Sequence, residues 1–327
     1  ERIIKAKKLL GKKIVILGHH YQNETVYRHA DLTGDSLKLA KYVSELEAQY
    51  IVFLGVHFMA EVANILSRPD QITVLPDLAA GCSMADMANL AKVERTYREL
   101  SKVINFDETI TPITYINSAA DLKAFCGEHG GVVCTSTNAP NILDWAFKLR
   151  SKVLFFPDQN LGRWTGYKMG IPLEEMPVWD PDLPLGGLDE STIKKAKVLL
   201  WKGHCAVHQM FRLQHINLFK EKYPDGLIIS HPEAPFEVCQ NSDYVGSTEF
   251  ILNTIKAAKT IMELAAIYGG VIDFVLDPRQ GDTIHVVYEE LYLDNKKYRD
   301  GAIVAASFTN QGKTYNAFRY VDASGDP

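Results

Sequence analysis

The chain has 327 residues, 46% of them apolar, and carries 35 basic against 40 acidic side chains for a net charge of −5. That is enough apolar material for two or three small domains with cores of their own. The acidic balance gives no reason to expect nucleic acid or an anionic membrane as a partner, and no apolar run reaches bilayer length. The five cysteines are odd in number and widely spaced, a poor disulfide framework. They are expected to be reduced, in a cytoplasmic setting, and available for metal or catalysis.

In chain order, residues 1–10 read as a short basic helix and 13–17 as a strand with the polar exit Gly18-His19-His20-Tyr21-Gln22. Residues 31–36 (DLTGDS) read as a loop that starts a helix over 37–47. The free N–H groups of a helix beginning at Asp35-Ser36 suit an anion. A strand over 51–54 leaves through Gly55-Val56-His57-Phe58, and a helix over 59–66 follows. The apolar run Val74-Leu75 then stops at Pro76, and a small-residue loop delivers Cys82. This reads as a buried strand that ends with a thiol in the loop beyond it, where open α/β sheets place ligands.

The same rhythm returns. Residues 112–117 give a strand and exit ending in Tyr115-Ile116-Asn117, with a helix over 119–125. Residues 132–138 give a second strand and exit, Val132-Val133-Cys134-Thr135-Ser136-Thr137-Asn138. Two further apolar runs end at Pro157-Asp158-Gln159-Asn160 and at Trp201-Lys202-Gly203-His204-Cys205. A third unit opens with Leu227-Ile228-Ile229-Ser230-His231-Pro232-Glu233 and continues through Tyr244-Val245 into Gly246-Ser247-Thr248. By this rhythm a third cysteine-bearing strand is due, yet the last cysteine is Cys239, within the third unit's first helix. The third unit therefore reads as truncated, with an exposed sheet edge and poor solubility as the expected consequence. From about residue 262, alternating apolar residues and Gly/Asn/Asp punctuation predict antiparallel hairpins over 283–289, 292–295, 303–308 and 313–321.

Cys82 and Cys205, each behind a glycine or a Gly-His pair at a strand exit, read as ligands of one metal centre. Two thiolates do not complete a tetrahedral site, so a further ligand is required. Cys126 and Cys239 sit on expected helix faces and Cys134 closes a strand, so these three read as core. Of the histidines at strand exits (His19, His20, His57, His204, His208, His231), chemistry is assigned to His19 and His231. In His231-Pro232-Glu233 an imidazole and a carboxylate are held apart by a fixed residue, which suits proton transfer near neutral pH. Ser36, Ser136, Ser247 and Thr248, with Asn117 and Asn138, form a hydroxyl and amide set able to hold phosphate or carboxylate, although each could equally cap a helix. Tyr21 and Tyr115 could donate phenolic hydrogen bonds in the same pocket. No G-x-G-x-x-G, Walker A, G-x-S-x-G or H-E-x-x-H motif is present, which weakens dinucleotide, P-loop, serine hydrolase and zincin readings.

Residues 12 to about 255 resemble the quinolinate synthase family, in its cyanobacterial-like form. The resemblance rests on His19-His20-Tyr21-Gln22, Gly34-Asp35-Ser36, Gly55-Val56-His57-Phe58-Met59-Ala60-Glu61 and Pro76-Asp77-Leu78-Ala79-Ala80-Gly81-Cys82. It continues through Tyr115-Ile116-Asn117-Ser118, Thr135-Ser136-Thr137-Asn138-Ala139, Pro157-Asp158-Gln159-Asn160-Leu161-Gly162, Gly203-His204-Cys205-Ala206-Val207-His208, His231-Pro232-Glu233 and Gly246-Ser247-Thr248.

The resemblance implies an α/β fold of three similar domains around a pseudo-threefold axis, here 1–100, 101–215 and a shortened 216–262, followed by a β-rich tail over 263–327. It implies condensation of iminoaspartate with dihydroxyacetone phosphate to quinolinate in de novo NAD biosynthesis, on a [4Fe–4S] cluster acting as Lewis acid. Iminoaspartate would be supplied by an L-aspartate oxidase or dehydrogenase. Cys82 and Cys205 would be two of the three cluster ligands. Tyr21, Tyr115, His231 and Glu233 would be catalytic, and His19, Ser36, Asn117, Ser136, Ser247 and Thr248 would bind substrate.

The family's third cluster ligand, in a Cys-Pro-Asn-Met-like stretch, has no counterpart in this chain. The alternative is therefore an inactive remnant or chimera that retains only ligand or metal binding. From about 262 the chain instead resembles the β-rich region ahead of the catalytic domain in lysostaphin-type zinc endopeptidases, through Gly270-Val271-Ile272-Asp273-Phe274, Arg279-Gln280-Gly281-Asp282, Val287-Tyr288-Glu289-Glu290 and Asn310-Gln311-Gly312-Lys313-Thr314-Tyr315. Only His285 lies beyond position 231, so the zinc-binding histidines of that peptidase are absent and the tail is not read as a peptidase.

Overall fold

In the computed structural model, residues 1–20 and 22–257 are described, followed by the strand backbones of 264–267, 292–293, 296–297, 302–310 and 313–321. The expected strand over 283–289 and most of the tail motifs lie outside the described residues, as does Tyr21. The chain divides into two compact units, Glu1–Phe211 with Pro232–Cys239, and Arg212–His231 with Gln240–Pro327.

The first unit holds two parallel sheets. One contains β1 (Ile14–His19), β2 (Leu32–Gly34), β3 (Tyr50–Leu54) and β4 (Ile72–Val74), in the order β2-β1-β3-β4. The other contains β5 (Ile110–Tyr115), β6 (Val132–Cys134), β7 (Lys152–Phe156), β8 (Val178–Trp179) and β9 (Val198–Trp201), in the order β6-β5-β7-β9-β8. The second unit repeats the theme with β10 (Leu227–Ser230), β11 (Tyr244–Val245) and β12 (Leu264–Ile267), in the order β11-β10-β12. In all three sheets the first strand lies between the second and the third, and every pairing is parallel. The chain reverses direction across the sheet beside that first strand, which creates a crevice at the carboxyl ends. His19, Tyr115 and Ser230 close the first strands of the three sheets.

The central strands are continuous apolar runs because a parallel sheet is covered on both faces. Along β7, Leu154 and Phe156 enter one core with Trp179, Leu199 and Trp201. Val153 and Phe155 enter the core on the other side with Val198 and Leu200. A third core joins Leu17, Ile51 and Phe53 to Leu39, Val43 and Ala63 from the helices Ser36–Glu45 and His57–Leu66.

Several expectations are corrected. The loop expected over 31–36 contains β2, whose three residues are too few to show a period. The strand ahead of Cys82 is not buried: β4 is the sheet edge, with Ile72 50% and Val74 39% exposed. A third strand is present, though without a cysteine: β12 runs parallel to β10 with Leu227 opposite Leu264 and Ser230 opposite Ile267. It lies just past the expected boundary at 262 and pairs with β10, so that among the described residues β12 is an edge strand of this sheet. Its composition, Leu-Ala-Ala-Ile, reads as easily as helix, which concealed it. In the tail, Ala302–Asn310 pairs antiparallel with Lys313–Val321, and Tyr292–Leu293 with Lys296–Lys297.

Candidate metal centre and active site

The two thiols stand on loops that touch. After β4, Asp77 folds the chain back by accepting from the backbone N–H of Ala79, and the His57 N–H donates to the carbonyl of Ala80. This delivers Cys82 to the start of the short helix Ser83–Asp86. After β9, Gly203 donates to the carbonyl of Trp201, and the chain turns to Cys205. The loops meet at Met87, whose carbonyl accepts from Trp201 Nε1 at 3.0 Å and whose sulfur accepts from the His204 N–H at 3.3 Å. Gly203 is required here: a Cβ at this position would run into the carbonyl oxygen of Pro157. Both thiols are partly exposed, whereas Cys126, Cys134 and Cys239 are buried in the core as expected.

Glu233 is the hub of the site. Its Oε1 accepts from the Tyr115 hydroxyl at 2.6 Å, and its Oε2 lies 3.2 Å from His208 Nδ1. Its backbone carbonyl accepts from Asn160 Nδ2 at 3.1 Å. Glu233, His208 and Tyr115 are 5%, 1% and 5% exposed, so this network is screened from bulk water. Cys205, His208 and Glu233 offer ligand atoms all within 4.8 Å of one another.

Beside them lies Asp158, fully buried after β7. Its Oδ1 caps the helix Gln159–Lys168 by accepting from the N–H groups of Asn160 and Leu161, and its buried Oδ2 has no hydrogen-bond partner among the described residues. Burial, reinforced by the charge of Glu233, pushes the Asp158 carboxyl well above the usual carboxylate range. Burial also raises the Cys82 thiol and pushes Cys205 up to about 12, with Glu233 adding to both. Two buried carboxyls and two thiols thus crowd one another, each of the shifted groups driven toward its neutral form. Such an excess of buried acid is what a bound cation would relieve. The donor set is therefore suited to a metal centre with thiolate ligands.

His19 closes β1 and is 4% exposed, with its Nε2 3.5 Å from the Ser36 hydroxyl. Asp35 caps the helix that Ser36 begins by accepting from the Lys38 N–H. Burial, then the neighbouring His20, lowers the His19 pKa to about 3, so the ring is neutral at physiological pH. The unfolded chain takes up a proton here near pH 6.5 that the folded chain refuses until pH falls to about 3. Stability from this group is therefore complete above pH 6.5 and declines below it, by about 1.4 kcal/mol per pH unit at the steepest. Urea unfolding at pH 7, 6 and 5 should show that His19→Gln flattens the acid-side loss of stability; an unchanged slope would refute the assignment.

Other expected site residues lie at strand exits. Asn117 and Ser136 follow β5 and β6 and are partly exposed. Asn138 closes its own turn by accepting from the Thr135 N–H. In the second unit His231 follows β10 and is 2% exposed. Ser247 precedes the helix Thr248–Ala257 and caps it by accepting from the Phe250 N–H at 3.4 Å.

Three members of the network were not singled out for chemistry by sequence: His208, Asp158 and Asn160. A signal existed for two of them. His208 stands three residues after Cys205, a metal-ligand spacing, and Asp158 repeats the Pro-Asp strand exit of Pro76-Asp77.

A parallel α/β chain with thiols, an imidazole and hydrogen-bonded carboxyls gathered beyond its strand ends has the donor set of a metal-dependent enzyme. The family described as "NadA: Quinolinate synthetase A protein" matches residues 1–268. A quinolinate synthase of Corynebacterium glutamicum is 50% identical over 290 residues, covering 85% of this chain and 73% of its own length. Those of Herpetosiphon aurantiacus and Rhodopirellula baltica are each 52% identical, over 260 and 268 residues, covering 79% and 78% of this chain and 69% and 68% of theirs. The chain belongs to the quinolinate synthetase A family, and it is an enzyme of that type.

Proposed function

We propose that the chain condenses iminoaspartate with dihydroxyacetone phosphate to quinolinate in NAD biosynthesis. One carbon–carbon and one carbon–nitrogen bond form, and phosphate and water leave. The observation that carries this reading at the site is the short Tyr115–Glu233 hydrogen bond of 2.6 Å, buried beside two partly exposed thiols. Enolisation of the triose and the later dehydrations both need a group that takes a proton from carbon and returns it to a leaving hydroxyl. A carboxylate held between a phenol and an imidazole suits that task. In this reading Glu233 is the base, Tyr115 orients it and shares the proton, and His208 fixes its second oxygen.

Cys82 and Cys205 would hold a [4Fe–4S] cluster, which when bound supplies Lewis-acid polarisation of a substrate oxygen or nitrogen. Neutral His19 and Ser36, with Asn117 and Ser136, offer hydrogen bonds to carboxylate or phosphate at strand exits, as do Ser247 and Thr248 in the second unit. His231 and Tyr21 complete the proposed set. Because an imine hydrolyses in water, an L-aspartate oxidase or dehydrogenase would have to supply iminoaspartate close by. The proposed setting is the cytoplasm; among the described residues no helix is long and apolar enough to cross a membrane. The segment beyond 268 lies outside the family match. Its proposed likeness to the β-rich region of lysostaphin-type endopeptidases is supported by its motifs and by the antiparallel hairpin of 302–321.

One observation favours a second reading. The remaining cysteines are Cys126, Cys134 and Cys239, and all three are core residues, so the thiols of this chain offer two cluster ligands. An inactive chain that retains metal or ligand binding is the alternative. Expression in a bacterium lacking its own quinolinate synthase separates the two. Growth without nicotinate is expected from a working enzyme, and growth only with nicotinate would support the inactive remnant.

A further inference from the structure

The donor set around Glu233 is tighter than a two-thiol centre requires. Cys205, His208 and Glu233 present sulfur, nitrogen and oxygen within 4.8 Å of one another, and Cys82 is not among them. In a tetrahedral zinc site, bonds of about 2.0–2.3 Å place the ligand atoms roughly 3.3–3.8 Å apart. Small side-chain movements would bring these three onto one ion. We propose that Cys205, His208 and Glu233 form a mononuclear site for a thiophilic divalent cation such as Zn²⁺, with the fourth position left to water.

Local structure supports the site. The Gln209 N–H donates to the carbonyl of Cys205, closing a helical turn that presents residues 205 and 208 to the same side. His208 is 1% exposed, and its Nδ1 lies 3.2 Å from Glu233 Oε2. The other carboxylate oxygen of Glu233 is held by Tyr115, and its backbone by Asn160. Outer hydrogen bonds of this kind orient ligating carboxylates. Asp158, fully buried and with no hydrogen-bond partner for its Oδ2 among the described residues, adds a second acid to the surroundings. Arg163 acts on it more weakly than burial and Glu233 do, so acid is left for a cation to compensate.

The inference goes beyond the quinolinate synthase reading but shares Cys205 and Glu233 with it. An ion held here removes Glu233 from proton transfer and Cys205 from any cluster. Zinc occupancy and the proposed reaction therefore exclude each other, which makes this an inhibitory site.

The test uses the intact chain, stripped of metal with a chelator and titrated with Co²⁺ under anaerobic conditions. One cobalt per chain is expected, with a thiolate-to-cobalt charge-transfer band that Zn²⁺ displaces. Cys205→Ser should abolish the band. His208→Gln and Glu233→Gln should weaken binding at least about tenfold, and Cys82→Ser should leave it unchanged. His208→Gln keeps both thiols proposed for the cluster, so it separates this site from the cluster reading. Absence of a cobalt–thiolate band in the parent, parent-like binding by His208→Gln, or loss of binding in Cys82→Ser would each overturn the proposal. X-ray absorption on the zinc-loaded parent gives a readout that does not depend on any variant folding. One sulfur among nitrogen and oxygen ligands is expected, and two sulfurs or none would contradict the site.

Discussion

Replacing Glu233 with Gln should lower quinolinate formation by about 10²–10⁴-fold, mostly in kcat, while the protein remains folded. Gln keeps the size and planarity of the side chain, and its carbonyl can still accept from the Tyr115 hydroxyl that now lies 2.6 Å from Oε1. It loses the ability to take a proton. The exchange also removes a negative charge from a buried neighbourhood that includes Asp158, Cys82 and Cys205, and this charge raises all three of those groups. The folded protein should therefore melt no lower than the parent. Steady-state assays with iminoaspartate and dihydroxyacetone phosphate, alongside a thermal melt, check both halves. Parent-like turnover would remove Glu233 from the chemistry, and a collapsed melt would show that its role is structural.

Cys82→Ser and Cys205→Ser should each remove bound iron and sulfide and reduce turnover to background. Serine is nearly isosteric, and both positions are partly exposed, so little stability is at stake. Cys126→Ala provides the contrast. That thiol is fully buried in the core of the second sheet, and its truncation should cost stability, on the order of 1 kcal/mol, without touching iron content. Iron analysis and visible absorbance of anaerobically prepared protein distinguish the patterns. Iron retained in either serine variant would exclude that cysteine as a ligand.

Much of the architecture was legible because parallel strands buried on both faces are written as unbroken apolar runs. Val153 to Phe156 and Val198 to Trp201 are such runs. The repeated exit of apolar run, then proline or glycine, then a polar residue marked the carboxyl ends where the site is built. β2, β4, β8 and β12 were less legible. β2 and β8 span three residues and two, too few to display a period, and β4 is an exposed edge. The site was legible as a list of residues but not as a network. Sequence paired Glu233 with His231 because they are neighbours in the chain. The fold also brings to Glu233 the side chains of Tyr115, 118 positions away, and His208. His208 stands three residues after Cys205, but a lone Cys-x-x-His step is too common to single it out. Asp158 was part of a recognised motif but carried no assigned role, since an aspartate after a strand usually caps the next helix. It does cap that helix, through one oxygen, while the other is buried without a hydrogen-bond partner among the described residues.

The most direct test of the central claim is anaerobic reconstitution of the intact chain with iron and sulfide. Iron per chain, the Mössbauer spectrum and quinolinate made with phosphate release are read on the same sample. A quinolinate synthase whose centre rests on Cys82 and Cys205 should take up about four irons per chain and form quinolinate and phosphate in equal amounts. A chain that binds no cluster and makes no quinolinate under these conditions would contradict the assignment and leave a member of the family that has kept the fold without the reaction.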